Sequence, residues 1–237
     1  MLSKSTARAT FAAVTMLALS CSHFTPWRNE PERPEVNLAF TLERNLIELS
    51  NVRVDNREGR FLLGSALPRT VLDARFAVPP RANNVLQLSG KETLRIDPIA
   101  QDLGGVADGI IGTEAFRGAA ITIDYRAGLV TYQKSGIARG YMTIFKYQVE
   151  PMMYVAVNGR ETAVIVDTSS PDTLVLPGPN GRGTVDVAIA GTLFGPTDIR
   201  YANVERPRIG NRLLSKFLVT IDYRQRVVGV WRDPRSS

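Results

Sequence analysis

Apolar residues recur at short intervals along this 237-residue chain, in runs too brief for long helices. Val52 and Val54 stand two apart, as do Val155 and Val157, and that alternation turns one side of an extended strand toward a core. Short stretches rich in Val, Ile, Leu, Thr and Tyr are separated by Asp55-Asn56, Ser89-Gly90, Asn158-Gly159 and Pro177-Gly178-Pro179. These are turn residues, so the pattern predicts short strands joined by tight turns. Hairpins are expected over Leu86–Ile96 and Asp186–Arg200, bending at Ser89-Gly90 and Gly195-Pro196. Helix is expected only after Gly112 and Gly210, over Thr113–Arg117 and Asn211–Lys216. The predicted class is all-β with short helices.

The pattern occurs twice. Val52–Leu72 matches Val155–Val175 at an offset of 103, with Val52/Val155, Val54/Val157, Arg57/Arg160, Glu58/Glu161, Pro68/Pro171 and Thr70/Thr173 identical. Ile110–Arg126 matches Arg208–Arg224 at an offset of 98, as an internal duplication with a five-residue deletion in its second half would give. The division that follows is an N-terminal lobe over 36–138 and a C-terminal lobe over 139–237. Within the match Asp167 faces Gly64, the one difference that bears on chemistry.

The first 35 residues read differently. Lys4 and Arg8 precede the uncharged run Ala9–Leu19, too short for a permanent span and laid out as a secretory signal over 1–20. Ser20 before Cys21, the single cysteine, resembles a bacterial lipoprotein processing site. Cys21 is then the lipidated first residue of a Pro-rich, charged tether over 21–35; a plain cleaved signal and an uncleaved anchor are the alternatives. The expected location is a bacterial envelope, on the periplasmic side of a membrane. One cysteine allows no internal disulfide, so the core alone must hold the fold.

Loss of Lys4 and Arg8 lowers the net charge from +6 to +4, and the remaining arginines are dispersed among acids. Nucleic-acid binding would want clustered bases with aromatic stacking partners, and none is expected. The only histidine, His23, lies in the tether, which excludes Ser-His-Asp and Cys-His catalysis and any His/Cys zinc cluster. No cofactor or metal is expected. Asp124-Tyr125 and Asp222-Tyr223 each end a strand before a turn, where Asp caps backbone amides. Arg57-Glu58 and Arg160-Glu161 read as solvated turn residues, and Gly178–Gly183 as a turn cluster lacking the sequel of a phosphate loop.

Asp167-Thr168-Ser169-Ser170 follows the apolar run Ala163–Val166; Ile111-Gly112 and Ile209-Gly210 follow about forty residues after each loop, and Asp108–Phe116 precedes Ile-Thr-Ile-Asp-Tyr-Arg at 121–126. At these residues the chain resembles the aspartic protease superfamily, nearest to small bacterial aspartyl protease domains of retropepsin type, once per lobe over Val52–Trp231. The resemblance implies tandem retropepsin-like β-barrels with Asp167 as the catalytic aspartate. Thr168 is then the residue whose hydroxyl ties the two loops together, and Ser169 stands where the family has glycine. In the first lobe Gly64 replaces the aspartate, Ser65 stands at the Thr/Ser position and Ala66 replaces glycine.

That chemistry needs two carboxylates sharing one proton, and this chain offers one. Asp55, Asp73 and Asp108 provide no evident substitute. Two functions remain open: a degenerate envelope lipoprotein that binds extended peptides without efficient cleavage, or an active endopeptidase using Asp167 with a carboxylate from a second chain. A purely structural lipoprotein is the third, weaker reading. The expected partners are an extended peptide or protein and, through the anchor, a membrane.

Overall fold

The computed structural model describes residues 35–76, 84–90, 92–134 and 140–233; the signal, Cys21, His23, the tether through Pro34 and residues 135–139 of the connector lie outside them. The described chain is built of strands, with one 3-10 turn at Thr113–Phe116 and one α-helical turn at Asn211–Leu214. Alternation sets the strand faces. In Val36–Glu43 the side chains of Val36, Leu38 and Phe40 are buried and those between them exposed. The turns fall where small or amide-bearing residues accept positive φ: Asp55-Asn56, Ser89-Gly90 and Asn158-Gly159 all have both residues in the left-handed region.

The second hairpin bends elsewhere than expected. Its turn is Ala190-Gly191, both at positive φ, and Gly195-Pro196 lies inside the strand Thr192–Ala202. Val187 pairs with Gly195 and Ala188 with Leu193, so Phe194 is an extra residue. Gly195, at φ 69°, supports a bulge rather than a reversal.

The halves meet in a continuous sheet. Of its eleven strands, the six counted inward from one edge run in the order Thr143–Lys146, Val227–Trp231, Leu218–Asp222, Ala120–Asp124, Leu129–Gln133 and Val36–Glu43, three from each half. At the middle, Ala120–Asp124 pairs antiparallel with its own repeat counterpart, and Thr122 lies opposite Thr220. Their buried hydroxyls are 3.0 Å apart. A pseudo-twofold axis therefore passes between these threonines, the isologous contact of a symmetric dimer written into one chain.

Beyond these six strands the halves differ. In the second, Met152–Val157, Arg160–Val166, Arg208–Ile209, Leu174–Pro177, Thr192–Ala202 and Gly181–Ile189 close a six-stranded barrel. In the first, the counterparts are divided between a four-stranded sheet and an extension of the eleven-stranded one. The split falls at Gly59-Arg60, between Arg57–Glu58 and Phe61–Leu63, where the second half has one unbroken strand. There the Arg60 amide donates to Asp108 Oδ2 (2.8 Å) instead of to a neighbouring strand. The ladder registers also make Leu88 the counterpart of Ile189, Ala100 of Arg200 and Ile110 of Arg208. The shortening is thus spread over several connections and not lost at one point.

Candidate active site

Two loops meet on the pseudo-twofold axis, each delivered by an apolar strand. Phe61–Leu63 leads into Gly64-Ser65, and Arg160–Val166 into Asp167-Thr168. Each strand lies parallel to a second one that threads past the loop: Phe61–Leu63 beside Gly109–Ile111, and Ile165-Val166 beside Arg208-Ile209. On its other side the threading strand pairs antiparallel with the chain that leaves the loop. The glycine that follows must pass against loop backbone. A Cβ on Gly112 would lie 2.3 Å from the Arg69 carbonyl carbon, and one on Gly210 2.5 Å from Asp172 O.

The loops are tied by a reciprocal set of hydrogen bonds. The Ser65 amide donates to Thr168 Oγ1 (2.9 Å) and the Thr168 amide to Ser65 Oγ (3.0 Å). Each hydroxyl then donates across the junction, Ser65 Oγ to Val166 O (2.6 Å) and Thr168 Oγ1 to Leu63 O (2.8 Å). Both side chains are fully buried, so four hydrogen bonds satisfy six dry polar groups, and losing either hydroxyl would strand its partners. The symmetry of the bonds sets Gly64 and Asp167 at equivalent points on either side of the axis.

Those points carry different chemistry. Asp167 is 4% exposed. Its Oδ1 accepts the Ser169 amide (3.0 Å) and hydroxyl (2.5 Å), and its Oδ2 accepts Arg208 Nη1 (2.7 Å). Ser169 thus folds back onto the carboxylate. Arg208 sits in the threading strand where the first half has Ile110. The counterpart of the Asp167–Arg208 pair is accordingly a packing contact: a Cβ on Gly64 would lie 2.8 Å from Ile110 Cγ2 and 3.0 Å from Leu67 Cδ1. Ile110 fills the space a side chain at position 64 would need.

A second ring of residues holds the loop carbonyls. Asn211 Nδ2 donates to Thr168 O and to Asn45 O, each at 2.7 Å, and Tyr125 OH donates to Asn211 Oδ1 (2.8 Å). Tyr223, the repeat counterpart of Tyr125, reaches Ser65 O (3.4 Å). Each tyrosine leaves the central sheet and supports the loop of the other half. Burial pushes both phenols up from their ordinary pKa, which keeps them as neutral donors. Sequence reasoning passed over Arg208, Asn211 and both tyrosines. The signal for Arg208 was a cation aligned with Ile110, and for the tyrosines their repetition beside the capping aspartates.

The other acids are committed elsewhere. Asp124 Oδ1 caps the amides of Arg126 and Ala127, both at 3.0 Å, and Asp222 Oδ1 those of Arg224 (2.9 Å) and Gln225 (2.7 Å). Asp73 pairs with Arg75 at 3.0 Å, and its carboxyl lies at about 2, held down first by that guanidinium and then by the amides of Arg75 and Leu103. Arg57 is exposed as expected, and its guanidinium also lies 4.5 Å from the centre of the Phe76 ring and donates to Phe76 O. Among the described residues no three His, Cys, Asp or Glu side chains gather as a metal site.

No protein-family model and no curated protein matches the sequence. Among solved structures the chain is similar to the crystal structure of an aspartic proteinase from Irpex lacteus, with a TM-score of 0.60 and 11% identity over 86% of this chain and 99% of that one. The fold is aspartic-protease-like. Two β-rich halves, loops tied across a pseudo-twofold axis and glycines threading beneath them all belong to that architecture. At 11% identity the likeness reaches the backbone only, and the chemistry rests on the side chains present. An acid-base pair of carboxylates passes one proton between its members. Here the described partners of Asp167 are Ser169 and Arg208, and a guanidinium stays protonated and accepts nothing.

Proposed function

We propose that this chain is a disarmed aspartic-protease-like scaffold of a bacterial envelope that holds extended peptides without efficiently cutting them. The observation that carries the reading is the Asp167–Arg208 pair lying opposite Gly64. The carboxylate that would activate water is bound to a fixed cation, and the position that would share its proton is a glycine packed under Ile110. Holding a peptide makes no such demand. It needs backbone donors and acceptors at an open edge and pockets for alternate side chains. The strand Ile99–Gln101 forms one edge of the eleven-stranded sheet, all three of its residues are exposed, and it pairs with the strand that leaves the Gly64 loop.

The test is a peptide-library experiment on the purified chain at mildly acid pH, reading binding and cleavage separately, beside Asp167→Asn. Binding without cleavage, unchanged in Asp167→Asn, is the expected result. Cleavage that disappears in Asp167→Asn would replace this reading with an active endopeptidase. Anchoring through Cys21 belongs to the same proposal; Cys21→Ala should abolish incorporation of labelled fatty acid and release the protein from membranes.

A further inference from the structure

The outer face of the second barrel gathers arginines. The strands Gly181–Ile189 and Thr192–Ala202 set Arg182 directly opposite Arg200. Like charges so placed repel and weaken a strand pair unless something neutralises them. Arg200 has a counterion, since its Nε and Nη2 lie 2.9 and 2.8 Å from Asp172 Oδ2. The guanidinium of Arg182 has no partner among the described residues, and neither has that of Arg212 in the turn Asn211–Leu214. All three arginines line one cavity of about 330 Å³ together with Asp172, Asp198 and Thr184.

The charge balance selects the ligand. Asp172 pairs with Arg200, and Asp198, which accepts the Thr184 hydroxyl at 3.3 Å, brings a second negative charge to the cavity against three positive ones. One positive charge is left over, which a single carboxylate neutralises and a phosphate dianion would overshoot. A guanidinium fork also matches the planar carboxylate in a bidentate pair. The cavity adjoins the candidate site: the Arg212 amide donates to Asp172 O (3.3 Å), and the preceding Asn211 holds Thr168 O. We propose that this cavity is a carboxylate subsite that seats an acidic side chain of the bound peptide, an assignment that rests on the peptide-holding reading above.

The experiment titrates the full chain, labelled at arginine side chains with ¹⁵N, with N-acetylglutamate amide while following the Arg182 and Arg212 Nε–H resonances. Saturable shifts are expected, about tenfold weaker binding in Arg212→Gln and in Arg182→Gln, and no response to N-acetylglutamine amide, since one charge-assisted hydrogen bond carries that much. Both positions are exposed, so these variants keep the fold. Equal shifts with the glutamine probe, or tighter binding of inorganic phosphate, would overturn the assignment. Paired extended peptides differing by Glu or Gln then separate the two claims. Preference for the Glu peptide that vanishes in Arg182→Gln supports the subsite, and equal binding of both peptides refutes it. A chain that takes the free carboxylate but neither peptide refutes the peptide-holding reading and leaves a carboxylate site standing.

Discussion

Replacing Arg208 by Met tests directly whether Asp167 is a structural ion-pair member. Removing one partner of a fully dry ion pair costs about 3–5 kcal/mol, because the remaining charge stays buried. Here the discount is visible in the geometry: Asp167's side chain is 5% exposed but that of Arg208 is 38% exposed. Ser169 also keeps its two hydrogen bonds to Oδ1. The loss then approaches one charge-assisted hydrogen bond, about 1.5–3 kcal/mol. Asp167→Asn removes the charge but leaves Arg208 partial access to water, and should cost about 1–2 kcal/mol. If the residues act as a pair, the double variant costs no more than Arg208→Met alone, which gives a coupling of about 1–2 kcal/mol. Urea unfolding with an unchanged m-value measures each corner of the cycle. For a chain of this size Arg208→Met should also lower Tm by about 3–12 °C. Additivity within about 0.3–0.5 kcal/mol would refute the pairing and return Asp167 to the list of free carboxylates.

Gly64→Asp should destabilise the chain by about 1–3 kcal/mol through overpacking against Ile110 and Leu67, and should yield no peptide cleavage by itself, read by urea midpoint and library digestion. Thr122→Val or Thr220→Val leaves one buried hydroxyl unpaired and should cost about 1–2 kcal/mol, whereas the double variant should be close to neutral by the same unfolding assay. The Asp73 carboxyl, depressed from 3.8 to about 2 chiefly by Arg75, contributes stability that is full above pH 4 and is lost as pH falls toward 2. Acid titration of Asp73→Asn should therefore show a flatter stability curve across that window.

The duplication, the class of the fold, the short helical turns after Gly112 and Gly210, and the capping by Asp124 and Asp222 were legible in the order of residues alone. Each is a local matter of period, turn chemistry or one carboxylate reaching amides two and three residues on. An offset between two copies also tells which positions are equivalent, so the contrast of Asp167 with Gly64 was legible. What each position touches was not. Arg208 reaches Asp167 across 41 residues, and Tyr125 reaches Asn211 across 86, because parallel strands and a twofold junction set the register that joins them. The same applies to the bulge at Phe194 and to the split at Gly59-Arg60, where an amide could pair with a strand or with Asp108 and only the packed chain decided which.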